Sequence, residues 1–206
     1  MKISLAVGVT AVILSLSSRG PIAYAQAPAP TLNSVKAGTY KVESYHTQVG
    51  FSISHFGFTN FSGLFAGASG TLHLDPAQLT ISKLEVTIPV QSVTTTVSKL
   101  DEELKGAQWF DTAKFPSATF SSTKVVSTGK GDATITGNLT LHGVTKPVVL
   151  HARFVGAGVN PLDKAYTVGF EVTGTIKRSD FGVTTYLPAV GDDVQLTIAG
   201  AFELQG

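Results

Sequence analysis

The chain of 206 residues contains no cysteine. This excludes a disulfide framework, a thiolate metal site, a cysteine nucleophile and the cysteine that bacterial lipoproteins use for lipid attachment. Charged residues are also scarce, at 14% of the sequence against about a quarter in ordinary globular domains. So low a charge content indicates either a large apolar core or a cavity with an apolar lining.

Motifs that carry common chemistry are missing as well. The sequence has no Gly-x-Ser-x-Gly, no Walker loop and no Gly-x-Gly-x-x-Gly. The five histidines do not fall at the spacing of a His-Glu-x-x-His helix or a His-x-His strand, so a metal site would have to assemble across strands. We therefore assign no catalytic residue and no metal ligand, and we expect neither an enzyme nor a cofactor.

The N-terminus has the pattern of an export signal. Lys2 precedes a mainly apolar run over residues 3–16, and Ala23-Tyr24-Ala25 supplies a small-x-small cleavage site. The apolar run is about half as long as a membrane-spanning helix, which favours cleavage over a retained anchor. We predict a signal peptide over residues 1–25, a periplasmic or secreted product, and a flexible leader over residues 26–37.

Charge gives no sign of a polyanionic partner. Cleavage would remove Lys2 and Arg19, so that 15 basic and 14 acidic residues become 13 basic and 14 acidic. Binding to nucleic acid or to an anionic membrane needs clustered Lys and Arg, and the sequence contains no such cluster. We expect no nucleic-acid partner and no stable membrane insertion.

Apolar residues alternate with small or polar ones along most of the remaining chain, which is typical of strands with one buried face. Gly, Asn and Asp separate the segments and suit turns between antiparallel neighbours. Closure into a barrel would remove the exposed edges of such a sheet. We predict one all-β domain over residues 38–206, an eight-stranded antiparallel barrel, with strands centred on residues 49–53, 72–74, 84–90, 118–120, 135–141, 148–154, 166–176 and 194–204.

A short helical insertion interrupts this pattern. Ser98 is a candidate helix cap, Asp101 stands at the capping-box position, and Leu100 and Leu104 share a face. Residues 111 and 112 are candidates to cap a further turn that ends before a proline.

The aromatic segment over residues 55–65 (HFGFTNFSGLF) is too apolar for an ordinary surface loop. Two interpretations remain open at this point. The rings either plug the end of a filled barrel or line the mouth and wall of a ligand cavity, because an eight-stranded barrel is of a size that permits both.

Four segments, in order, carry a family resemblance. They are residues 49–58 (VGFSISHFGF), 109–120 (WFDTAKFPSATF), 137–147 (GNLTLHGVTKP) and 178–182 (RSDFG). Together they resemble the YceI-like family of periplasmic, lipocalin-like polyisoprenoid-binding proteins. The resemblance implies a barrel with a helix inserted over it, an elongated tunnel that holds an isoprenoid chain such as a polyprenyl lipid or a quinone tail, and a homodimer as a plausible assembly.

With the alternation pattern, the resemblance suggests a lipid-binding wall. Trp109 and Phe110 are interpreted either as a lid or as packing for the inserted helix. His55, Arg178 and Asp180 either orient a head group or, for Arg178 and Asp180, pair with each other. The candidate wall residues are Phe51, Ile53, Phe58, Phe61, Phe120, Leu139, Leu141, Phe170 and Val172.

The inserted helix contains the acidic run at residues 100–104 (LDEEL), which disfavours an anionic head group there and favours a neutral one such as a quinone. The sequence therefore predicts a carrier or store of a long-chain isoprenoid lipid. Two alternatives stay open: a hydrolase or isomerase that uses the cavity, in which His55 is the residue to test, and a structural or stress-response barrel without a ligand.

Overall fold

The computed structural model describes residues 31–206, so the predicted signal peptide and the first part of the predicted leader lie outside the described residues. The described chain is mainly β-structure with one α-helix, α1 (Ser98–Lys105). Four short 3-10 turns cover Leu32–Ser34, Leu79–Ile81, Val90–Ser92 and Arg178–Phe181. The strands are β1 (Gly38–Val42), β2 (Gln48–His55), β3 (Thr59–Phe65), β4 (Ser69–Leu74), β5 (Lys83–Pro89), β6 (Ser117–Ser127), β7 (Asp132–Leu141), β8 (Val144–Val159), β9 (Tyr166–Lys177) and β10 (Val190–Leu204).

Eight of these strands close a ring in the order β1, β4, β5, β6, β7, β8, β9, β10, with β10 returning to β1. Every neighbouring pair is antiparallel, so the predicted fold class is confirmed. Closure of the ring leaves few backbone groups unpaired at the edges of these eight strands.

The two additional strands, β2 and β3, extend the wall of the barrel at one end. Strand β10 pairs with β2 through Val190–Ala199 and with β1 through Phe202–Leu204, so β1 and β2 follow one another along the same edge. Thr47 is buried at the break between them, where its hydroxyl accepts a 3.0 Å hydrogen bond from the Ala201 N–H. The side chain thereby satisfies a backbone group that the broken ladder leaves unpaired.

One end of the barrel is filled. Tyr40, which is fully buried, packs there with Val168, Leu72 and Phe202. Leu32 and Val35 cover this cluster and are themselves buried. Folded structure therefore begins before residue 38, and the predicted flexible leader is wrong for residues 32–35, because two apolar side chains in that segment close the end of the barrel.

The helical insertion lies in the connection between β5 and β6. The predicted helix is present, but Ser98 is its first helical residue and not its cap. The Asp101 carboxylate instead accepts hydrogen bonds from the N–H and the hydroxyl of Thr95, at 2.7 and 2.6 Å. These bonds, the hydroxyl bond foremost, lower the pKa of Asp101 and tie the helix to the chain that precedes it. The predicted turn follows, where the N–H groups of Lys114 and Phe115 donate to the Asp111 carbonyl.

Candidate functional site

The other end of the barrel is hollow. A cavity of about 500 Å³ lies between β2, β3 and the strands β5 to β10, under α1 and the segment that follows it. Its walls are almost entirely apolar, and its polar side chains are His55, Glu103, Arg178 and Tyr186. The exposure of His55 and Tyr186 marks this end as the mouth of the cavity. Of the aromatic segment over residues 55–65, Phe56, Phe61 and Phe65 line this cavity, and other residues fill the opposite end of the barrel.

On one wall, Phe51 of β2 lies against Gly63 of β3. These residues are directly opposite one another, and a Cβ atom at position 63 would come within 2.4 Å of the Phe51 ring. The missing side chain leaves room for the ring to lie along the wall. Phe65 continues this aromatic surface, with its ring centroid 5.5 Å from Phe51 on one side and 5.5 Å from Phe110 on the other.

The facing wall repeats this arrangement. Phe120 of β6 lies against Gly137 of β7, where a Cβ atom would come within 2.4 Å of the ring. Leu139 and Leu141 point into the cavity from β7, because residues two apart on a strand share a face. Leu150, buried beside Phe120, closes the cavity toward the filled half.

The insertion covers the cavity. Trp109 lines it while packing with Leu104 and Val183, and its side chain is buried. Its indole N–H donates a 3.2 Å hydrogen bond to Glu103, and its ring meets Tyr186 edge-on at 6.0 Å. The sequence left two interpretations of Trp109 open, a lid and packing for the helix. In the structure the side chain both covers the cavity and packs against the helix.

Arg178 is a buried cation at the mouth, only 4% exposed. Its three nitrogens donate to the backbone carbonyls of Gly191, Val183 and Val190 at 2.8, 2.9 and 2.9 Å. Its guanidinium also lies 5.5 Å from the centre of the Trp109 ring. Burial lowers the pKa of Arg178 from its ordinary value, although the side chain stays charged at neutral pH.

The suggested pairing of Arg178 with Asp180 is wrong. Asp180 is exposed and does not line the cavity. Asp192 is the carboxylate whose charge acts on Arg178, and it accepts hydrogen bonds from the N–H and hydroxyl of Ser179 at 2.9 and 2.8 Å. The bond from the Ser179 N–H is the largest of the influences that lower the pKa of Asp192.

The structure brings most of the predicted wall residues together and removes three. Phe58 lies in the β2–β3 turn with 86% of its side chain exposed, because the turn carries it beyond the end of the wall. Phe170 faces the barrel interior but packs against the cluster of the filled end, and Val172 packs against the cluster of Phe120 and Leu150 without lining the cavity. The predicted residues that do line the cavity are Phe51, Ile53, Phe61, Trp109, Phe110, Phe120, Leu139 and Leu141, with His55 and Arg178 at the mouth.

Sequence reasoning passed over the contribution of β10. Val194, Leu196 and Ile198 line the cavity from this strand. Their alternation was visible, and it placed all three on one face, but it carried no aromatic residue to draw attention to them. Tyr186 was also missed, since it lies in a loop with no periodicity.

Two features are absent from residues 31–206. The side chains described form no group of three or more histidines and carboxylates arranged to hold a metal ion. Within the same range, α1 falls short of the length and apolar character that crossing a bilayer requires.

The family model for the YceI-like domain matches residues 40–202. The chain belongs to the YceI-like family. It is 41% identical to protein YceI of Salmonella arizonae over 171 residues, which is 82% of this chain and 88% of that protein. The family assignment agrees with the order of motifs along the sequence.

Solved structures show the same fold. A crystal structure of the Campylobacter jejuni YceI protein is 33% identical, with a TM-score of 0.66 over 75% of this chain and 91% of that one. A polyisoprenoid binding domain from Saccharophagus degradans, implicated in plant cell wall breakdown, has a TM-score of 0.60 over 82% of this chain and all of that domain, at 16% identity. At this identity the likeness to the second structure shows the fold alone.

Proposed function

We propose that this protein binds and carries a long-chain isoprenoid lipid with an uncharged head group. The hydrocarbon tail of the lipid lies in the hollow half of the barrel. The observation that carries the proposal is the cavity of about 500 Å³ with apolar walls and with its polar groups gathered at the mouth. Each methylene group that leaves water contributes about 0.8 kcal/mol, so a long hydrocarbon can bind firmly through area alone. The polyisoprenoid binding domain that shares the fold supports this class of ligand.

The polar groups at the mouth support an uncharged head group. Each nitrogen of Arg178 already donates to a backbone carbonyl. Glu103 adds a carboxylate to the cavity lining from the acidic helix. A phosphate would be repelled by the Glu103 carboxylate, while the Arg178 nitrogens already donate to backbone carbonyls. A quinone or an alcohol would need only a hydrogen-bond donor or acceptor, such as His55 or Tyr186.

The site of action follows from the predicted export signal. A cleaved signal over residues 1–25 would deliver the barrel to the periplasm, where a carrier would protect an apolar chain from water. The periplasmic location and the carrier role are part of the proposal.

Native mass spectrometry of protein purified from its own host, followed by lipid extraction, tests this function. We expect a bound mass that solvent releases as a neutral isoprenoid. Empty protein that also fails to bind quinone and polyprenol analogues would contradict the proposal, and a released polyprenyl phosphate would overturn the uncharged head group.

A matched pair of variants assigns the ligand to the cavity. Val194 lines the cavity, so Val194→Phe places a ring in the space of the ligand. Val149 is 47% exposed on the outside of β8, so Val149→Phe adds the same ring to the outer surface. We expect the first variant to lose the bound mass and the second to keep it; equal retention would place the ligand elsewhere.

A further inference from the structure

Two loops meet at the mouth of the cavity, residues 56–59 between β2 and β3 and residues 182–191 before and into β10. The Phe56 N–H donates a 2.8 Å hydrogen bond to the Ala189 carbonyl, so the loops form one surface. Neither loop contains an Asp, Glu, Lys, Arg or His residue. We refer to these two loops as the rim.

The rim exposes aromatic rings to water. Phe58 is 86% exposed, Tyr186 59% and Phe56 50%. Three exposed aromatic side chains on adjoining loops exceed what scattered surface residues normally show and mark a surface with a partner. Phenylalanine and tyrosine rings favour the boundary between lipid head groups and acyl chains, where one part of the ring is apolar and the other is wet.

The distribution of charge separates this surface from the rest of the mouth. The helix of the neighbouring insertion carries Lys99, Asp101, Glu102, Glu103 and Lys105, whereas the rim carries no charge of either sign. A polyanion or an acidic protein would find no complementary group on the rim. An uncharged surface tipped with aromatic rings matches the interior side of a phospholipid head-group layer.

The rim is also continuous with the cavity. Phe56 and Tyr186 line the mouth and are half exposed outside it, so the apolar surface passes from the cavity wall to the exterior without a polar break at these two residues. A hydrocarbon chain leaving a bilayer at this point would enter the cavity without crossing water. This step rests on the proposed function, because it takes the ligand to be a lipid.

We propose that the rim docks on the surface of a phospholipid bilayer, with Phe58 and Tyr186 inserted at the boundary between head groups and acyl chains and with the mouth of the cavity facing the lipid. Docking is peripheral and reversible, because two or three rings bury far less apolar area than a spanning helix. It depends on apolar contact and not on charge.

Cosedimentation with phosphatidylcholine vesicles tests this docking. The full chain is compared with Phe58→Ser, which removes the most exposed ring of the rim without touching the cavity wall. The matched control is Leu162→Ser, because Leu162 is 90% exposed in the β8–β9 turn, at the filled end of the barrel. We expect Phe58→Ser to weaken vesicle binding about tenfold, corresponding to burial of part of one ring, and Leu162→Ser to leave it unchanged.

Salt provides a second readout. Binding that depends on apolar contact persists at high ionic strength and changes little when phosphatidylglycerol is added to the vesicles, whereas binding through charge falls with salt. Loss of binding at high salt, equal binding by Phe58→Ser and the unchanged chain, or an equal loss in Leu162→Ser would each overturn the proposal.

A second copy of the chain is the competing occupant of the rim. Sedimentation velocity without vesicles distinguishes a dimer contact from a membrane contact. If the protein forms a dimer that Phe58→Ser dissociates, and the protein does not bind vesicles, the rim is a contact between copies. Retention of the bound mass by Phe58→Ser in native mass spectrometry separates the outcomes further. Vesicle binding that fails while the lipid is retained overturns docking alone, whereas absence of any bound lipid overturns the proposed function.

Discussion

The ring of Phe120 lies against Gly137 across the β6–β7 pair, so close that a Cβ atom at position 137 would come within 2.4 Å of it. The same position would also be 2.6 Å from the Ser121 carbonyl oxygen, which is backbone and cannot rotate away. Glycine at position 137 therefore leaves room for the Phe120 ring along the cavity wall. A second large side chain at this position would fill part of the cavity.

Replacing this glycine tests the relationship. Gly137→Ala should destabilise the fold by about 1–3 kcal/mol, because both the ring and the backbone must shift. Gly158→Ala is the control, since a Cβ atom there meets nothing within 4 Å, and it should change stability by less than about 0.5 kcal/mol. Urea unfolding measures both, and similar values for the two variants would show that the wall is not tightly fitted.

The hollow and filled halves of the barrel should respond differently to one and the same substitution. Val168 is fully buried in the filled half, so Val168→Phe should cost about 1–3 kcal/mol through overpacking. Val194 borders the cavity, so Val194→Phe should cost less than about 1 kcal/mol in the empty protein because the ring enters free space. Thermal and urea unfolding of lipid-free protein would reveal the difference, and a larger cost at position 194 would argue against the cavity.

Arg178 should matter for stability far more than its charged neighbour. Arg178→Met leaves three backbone carbonyls without their donors, and we expect a loss of about 3 kcal/mol or more. Lys177→Met is the control, since Lys177 is exposed and pairs with Asp193 at the surface, and it should cost about 0.5 kcal/mol or less.

Arg178→Lys keeps the charge but cannot reach three carbonyls with one nitrogen, so its stability should lie between those of Arg178→Met and the unchanged chain. A value for Arg178→Lys equal to that of the unchanged chain would mean that charge, and not the set of hydrogen bonds, is what position 178 supplies.

Tyr40 should give the fold an alkaline limit. Burial raises the pKa of Tyr40 to about 12, and its hydroxyl donates a 2.5 Å hydrogen bond to the Lys36 carbonyl. Because the folded-state pKa lies above the unfolded value, the contribution of Tyr40 to stability is complete below about pH 10 and is lost as the pH rises toward 12. Ultraviolet titration should show one tyrosine that ionises late, and Tyr40→Phe should flatten the alkaline fall in unfolding free energy; an unchanged fall would assign it to other groups.

Alternation along the chain predicted which face of each strand turns inward, and Val49, Phe51 and Ile53 show why it succeeded: three apolar residues with small or polar residues between them have one consistent orientation. Alternation does not predict how far along the barrel axis a residue lies. Phe170 and Val172 face inward as expected, yet neither reaches the cavity, because strand tilt and register set the height of a residue and neither is visible in one strand.

Two further features had no usable signal in the sequence. Strand β3 was hidden because its inward positions are Phe61, Gly63 and Phe65, and the glycine between the rings breaks the apolar alternation. Arg178 resembles a surface cation in sequence, since the carbonyls that hold it come from residues 183, 190 and 191, which only the folded loop brings beside it.

The separation of the barrel into a filled half and a hollow half also bears on how its ligand preference can change over generations. Tyr40, Val168 and Phe202 fill one end of the barrel, whereas Val194 and Leu141 border open space in the other. Substitutions at positions such as Val194 or Leu141 can therefore alter the length and width of the accommodated chain without unfolding the protein. If the proposed lipid is the ligand, different tail lengths become accessible by drift on one stable scaffold.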